Sequence, residues 1–167
     1  MVTVDYLNRG RLNHTQMLEA ERILQDKGIP YRLIELSGRA MTVGDVARFS
    51  KGDFKIEEIC KTVIMKDDKG DRFAFFLTGN DRVDFLKAKR ITGKKLTVAS
   101  LTDVQEVTGV DPGAVCPILL RIPLIVDERV LKLERVNFGS GNHLHGLEMK
   151  TEDLLRSVEH SIADISE

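Results

Sequence analysis

Cys60-Lys-Thr-Val-Ile-Met65, Asp67-Asp-Lys-Gly-Asp71 and Arg72-Phe-Ala-Phe-Phe-Leu-Thr78 follow one another and decide the fold. The outer runs are rich in β-branched and aromatic residues, which suit a pleated strand. The segment between them is polar, and its Gly and Asp tolerate the left-handed backbone of a tight turn. The three pieces therefore read as a β-hairpin. Alternation along the first strand puts Lys61 on the face opposite Cys60 and Thr62.

Working upstream, Met17, Leu18, Ala20, Ile23 and Leu24 recur at helical spacing between His14 and Lys27, and Gly28 with Pro30 supplies a stop. Tyr31–Leu36 alternates like a strand. Thr42 with Asp45 three residues later starts a short helix through Phe49, and an acidic turn at Glu57–Glu58 leads into the hairpin. Residues 1–11 carry little pattern and read as a loosely docked arm. Downstream, Asp84–Lys89 suggests a helix and Leu96–Ala99 a strand. Ser100 caps a helix over Leu101–Thr108, which Gly109 ends. Short apolar runs follow at Leu124–Val126, Val130–Leu133, Val136–Phe138 and Leu147–Met149, and Thr151 opens a last helix to about His160. Most strands are joined by connections too short for a crossover helix. The expected class is α+β (mixed α/β), with a curved, mostly antiparallel mixed sheet and surrounding helices.

The chain has 167 residues, the size of one domain, and 42% of them are hydrophobic and 31% charged. Its longest apolar runs fall far short of the roughly 20 residues a spanning helix needs, and no charged-then-apolar leader is visible. A cytoplasmic protein without a membrane partner is expected. Lys plus Arg number 25 against 26 acids, which excludes coating of nucleic acid by bulk charge but not a local RNA-gripping patch. Two cysteines without a CxxC exclude a disulfide scaffold and a four-cysteine zinc site.

Four features could carry chemistry. Thr108-Gly-Val-Asp-Pro-Gly-Ala-Val-Cys-Pro117 holds two glycines and two prolines between a helix and a strand. Such a loop can aim consecutive N–H groups into a cavity, although connectors of this kind are often only connectors. Phe138-Gly-Ser-Gly-Asn-His-Leu-His-Gly146 is a second glycine-rich loop, by default a solvent-facing turn. Its His143 and His145 lack an obvious third ligand, so no metal is expected, and nothing marks Cys116 as reactive. Lys61 could present an ammonium to a phosphate or carbonyl in a cleft, or simply face solvent. Lys87, Lys89, Arg90, Lys94 and Lys95 form the densest basic cluster, which suits a solvated helix face or a phosphate-contacting strip.

In combination these features resemble the YbaK family, the prolyl-tRNA synthetase-associated or aminoacyl-tRNA editing domain. The resemblance rests on Lys61-Thr62-Val63-Ile64 opening an apolar strand and on Thr42-Val-Gly-Asp-Val-Ala47. It also rests on the Thr108–Pro117 loop and the terminal glycine-rich hairpin before an acid-capped helix (Gly139–Leu154), which follow Lys61 in that order, with Thr42–Ala47 preceding it, over residues 15–165. The resemblance implies that fold over the whole chain and a free-standing deacylase that hydrolyses a mischarged aminoacyl-tRNA carrying a small amino acid. It places the family lysine at Lys61 and the carbonyl-holding bend at Gly113, Ala114 and Val115. Cys116, Pro117, Gly139, Ser140 and Gly141 would line the aminoacyl pocket. The implied partners are aminoacyl-tRNA and, through the synthetase-fused members, an aminoacyl-tRNA synthetase, with no DNA and no cofactor. A non-catalytic module holding tRNA or a synthetase remains the alternative. A metal-dependent hydrolase built on His143, His145 and Asp127, and a small-molecule-binding protein, are more distant readings. Many relatives have Ser or Thr where Cys116 stands, and a glycine where Ile118-Leu119-Leu120 follows the proline. The amino acid removed therefore stays open.

Overall fold

The computed structural model describes residues 17–167, so the arm expected at 1–11 and the start of the first helix lie outside the described residues. Helix α1 (Glu19–Asp26) packs Ala20 and Leu24 inward and leads to strand β1 (Arg32–Glu35) and helix α2 (Val43–Phe49). The hairpin forms as β2 (Cys60–Lys66) and β3 (Arg72–Thr78), registered from Cys60 opposite Thr78 to Lys66 opposite Arg72. Next come α3 (Phe85–Thr92), β4 (Thr97–Val98) and α4 (Leu101–Thr108). The remaining elements are β5 (Leu124–Asp127), β6 (Arg135–Gly139), β7 (His145–Lys150), α5 (Thr151–Ser157) and β8 (Ser161–Ala163).

The strands divide into two sheets, ordered β1-β7-β6 and β4-β2-β3-β5-β8. The α+β class holds, and antiparallel pairs predominate: β1–β7, β6–β7, β2–β3 and β2–β4. The pairs β3–β5 and β5–β8 are parallel. Their crossovers run through 79–123 and 128–160, and the single sheet suggested by the short connections becomes two. Two local expectations change. Val130–Leu133 lies largely in a 3-10 turn (Glu128–Lys132), because the chain there leaves one sheet for the other. The last helix ends at Ser157 rather than near His160, and three residues then add edge strand β8.

The main core lies between the sheets. Ile64, Ala74, Phe76, Leu124 and Val126 of one meet Val136, Phe138, Leu147 and Met149 of the other. Phe76 and Phe138 touch edge to face with centroids 5.7 Å apart. The alternate residues Met65, Phe75, Leu77 and Ile125 face a second cluster closed by Ala88 of α3 and Ile165. Burial on both faces explains the unbroken apolar run Ala74–Leu77, which occupies the central strand. A parallel bridge between Ile59 and Asn137 joins the backbones of the two sheets.

Candidate active site

Strand β4 pairs with β2 only at Met65 and Lys66, and Ala99 N–H donates to the Ile64 carbonyl (2.9 Å). Strand pairing stops there, and the edge of β2 from Cys60 to Thr62 borders a cavity of about 470 Å³. That volume falls within the roughly 300–1,000 Å³ of small-molecule sites. Its wall is largely apolar, with Val46, Val63, Val115 and Phe138 among its residues, and Lys61 is one of its few polar members.

Lys61 is half-buried and its Nζ donates to the Gly79 carbonyl at 3.1 Å. Burial lowers the pKa of the ammonium; Asp81 opposes that effect and Arg82 adds to it. Pro112–Ala114 forms a 3-10 turn that brings Gly113 and Val115 to the wall of the same cavity. The backbones here are in close contact. A Cβ on Gly113 would stand 2.1 Å from the Ala40 carbonyl oxygen, and one on Gly139 2.4 Å from that of Val115. Buried Asp111 fixes this approach, accepting from Gln105 (2.7 Å) and Arg39 (2.5 Å), while its own N–H donates to His143 Nε2 (3.3 Å). The Gln105 bond, with the Arg39 charge, holds the Asp111 carboxyl below the usual carboxylate range against the opposing effect of burial.

Lys61, Gly113, Val115 and Gly139 therefore share one cavity. Of the amides expected to hold a carbonyl, that of Ala114 donates to Asp111 (2.9 Å) and that of Val115 to Pro112 (3.4 Å) within the turn, and Ala114 is buried behind the wall. The Gly113 N–H donates to none of the described residues. Cys116, Pro117, Ser140 and Gly141 stand behind the wall rather than on it. Cys116 is buried, and burial pushes its thiol up to about 12 even though the Ile118 and Leu119 amides donate to it. Ser140 closes its own loop, donating to the His145 carbonyl at 2.6 Å, and Gly141 N–H donates to the Ala114 carbonyl at 2.8 Å.

In the basic cluster, Lys87 donates to Asp164 (2.9 Å) and the Ser166 carbonyl (2.7 Å), and Lys94 pairs with Asp67 and Asp71. Lys89, Arg90 and Lys95 are exposed and form no ion pair among the described residues. No group of three or more His, Cys, Asp or Glu among the described residues is placed to hold a metal ion. No described helix is long and apolar enough to cross a membrane. Sequence reasoning passed over Gly79, Ala40, Arg39 and Asp111. Gly79 had one available signal, a glycine directly after an apolar strand, whereas the other three depend on contacts more than 70 positions apart.

The chain is 33% identical over 87 residues to a proline–tRNA ligase of Syntrophotalea carbinolica, covering 52% of this chain and 15% of the ligase. It spans well under two thirds of that relative's length. Among solved structures it resembles hypothetical protein APE2540, with a TM-score of 0.77 and 30% identity over 88% of this chain and 98% of that one. It also shares the fold of a candidate trans-editing enzyme for prolyl tRNA synthetase, with a TM-score of 0.74 and 24% identity over 91% and 99% of the two chains. A model of the aminoacyl-tRNA editing domain matches residues 38–157. That stretch contains every cavity-lining residue except Leu36, and the chain belongs to the aminoacyl-tRNA editing domain family.

Proposed function

We propose that the chain hydrolyses the ester bond of a mischarged aminoacyl-tRNA bearing a small amino acid, acting in trans on the released tRNA. The observation that carries this reading is the convergence of Lys61, the Gly113 bend and Gly139 on one cavity. An aminoacyl ester is already activated, so its hydrolysis needs positioning and stabilisation of the oxyanion more than a strong nucleophile. Lys61 supplies the positive charge, to the terminal phosphate or to the acyl end. The Gly113 N–H, which donates to none of the described residues, supplies a hydrogen bond toward the carbonyl oxygen as it gains charge. Attack comes from water: the new bond is from the water oxygen to the acyl carbon, the ester bond to the terminal ribose breaks, and the ribose oxygen leaves with a proton. The neighbouring ribose hydroxyl is able to orient the water, so no side-chain nucleophile is required. The buried, un-ionised Cys116 is in keeping with that economy. A cavity bounded by branched and aromatic side chains favours a short aminoacyl group, and the glycines at 113 and 139 keep the bend close to the acyl bond. A synthetase separates amino acids differing by one methylene by only about 1–3 kcal/mol, which gives a second, hydrolytic sieve its purpose.

The test is ester loss from a panel of tRNAs mischarged with alanine, serine, cysteine or threonine, with wild type beside Lys61→Ala. Wild type releases at least one of these amino acids, and Lys61→Ala reduces release to the uncatalysed rate while keeping the native circular-dichroism spectrum. Binding without release by wild type would instead mark a non-catalytic tRNA-holding module. Unchanged release by Lys61→Ala would remove that residue from the mechanism.

A further inference from the structure

Lys61 is held by more than its own strand. The acceptor of its Nζ is the carbonyl of Gly79, the first residue after β3. Gly79 is fixed from two sides. Its N–H donates to the Ile59 carbonyl at 2.8 Å, and a Cβ there would stand 2.7 Å from Val43 Cγ1 and 2.9 Å from that same Ile59 oxygen. Two residues on, Asp81 closes a turn on Thr78 by two bonds. The Asp81 N–H donates to the Thr78 carbonyl at 3.1 Å, and the Thr78 hydroxyl donates to Asp81 Oδ2 at 2.6 Å. The other carboxylate oxygen lies 3.4 Å from Arg129, at the start of the segment joining the two sheets.

We infer that Asp81 is the positioning residue for Lys61: by closing the Thr78–Asp81 turn it fixes the Gly79 carbonyl that accepts from the ammonium, and so holds that ammonium at the cavity wall. This rests on the editing reading above and adds to it the group that maintains the working state of the lysine. The need for such a group is physical. A half-buried ammonium on an apolar wall loses hydration, which favours the neutral amine, and the neighbouring Arg82 pushes the same way. Asp81 is the charge that opposes both. Other titratable groups among the described residues here are Cys60 next door on β2, whose thiol is kept protonated chiefly by burial, Glu58, which acts on that thiol, and His145, which lines the same cavity. Arg129 pairs with Asp81 and restrains the carboxylate rather than the lysine.

The sign follows directly. Without the Asp81 charge the Lys61 pKa falls, so the lysine loses its proton at lower pH and the alkaline limb of activity moves down. The experiment is Asp81→Asn in the full chain, with Asp81→Glu and Thr78→Val beside it. It is read by the NMR titration of the Lys61 Cε resonance and by the pH profile of kcat/KM for deacylation. In Asp81→Asn both midpoints are expected to move to lower pH. kcat falls and KM changes less. Asp81→Glu restores most of the titration, and Thr78→Val, which frees the carboxylate, moves it by less in the same direction. A Lys61 titration unmoved in Asp81→Asn would overturn the inference, as would an unmoved titration in Thr78→Val should the first variant fail to fold. The NMR midpoint requires no turnover, so failure of the editing reading is distinguishable from failure of this one.

Discussion

Gly139 lacks a side chain because its position has no room for one, the Val115 carbonyl standing where a Cβ would be. Gly139→Ala must separate β6 from the 112–117 bend, and overpacking of this kind costs about 1–3 kcal/mol. A thermal melt should show the lowered midpoint, and deacylation should fall with it, since the same displacement widens the gap between the bend and Lys61. The glycine and proline clusters were visible in the sequence as unusual. Their physical meaning was not, because at Gly113 and Gly139 the closely approaching partner is the protein's own backbone, distant in sequence. Cys116 makes the opposite point. Nothing in the sequence marked it as reactive, and it is 2% exposed with an un-ionised thiol. Iodoacetamide at pH 8 should leave it unmodified in the native protein and label it once denaturant is added.

Helix α4 shows how an element is fixed from its end. The Ser100 hydroxyl accepts from Asp103 N–H at 3.1 Å, and Asp103 returns a bond to the Ser100 N–H (3.4 Å) while pairing with Lys66 of β2. Ser100→Ala should cost about 1 kcal/mol in urea unfolding. The Lys66 hydrogen bond, followed by that from Ser100, holds the Asp103 carboxyl below its ordinary value of 3.8. Its contribution is therefore fully present above that value and is lost as pH falls through the lower folded one. Asp103→Asn should be less stable than wild type at pH 7, and urea unfolding should show the difference shrinking toward pH 3. Caps of this sort were legible because they are local, and so was the β2–β3 hairpin, whose register follows from one short turn. Strand β8 was not. It is three residues long, pairs among the described residues with β5 alone, and is recruited through its backbone, so no side-chain pattern announces it.

At the scale of the molecule, charge in the sequence and charge in space differ. The basic run from Lys87 to Lys95 has no acid within it, yet the fold brings Asp164, Asp67 and Asp71 to Lys87 and Lys94. Replacing Lys89, Arg90 and Lys95 together by Gln should weaken tRNA binding and reduce the slope of log K against log salt by about two, as expected for up to three lost phosphate contacts. An unchanged slope would place the docking surface elsewhere. The bridge from Ile59 to Asn137 has a mechanical side as well. It is one rivet between two leaves, and the cavity takes its walls from both, Lys61 on one and Gly139 on the other. Anything seated there acts as a clasp that resists splaying. A non-hydrolysable aminoacyl-adenosine mimic should therefore raise the melting temperature in a dose-dependent way, reporting occupancy in a protein that turns nothing over.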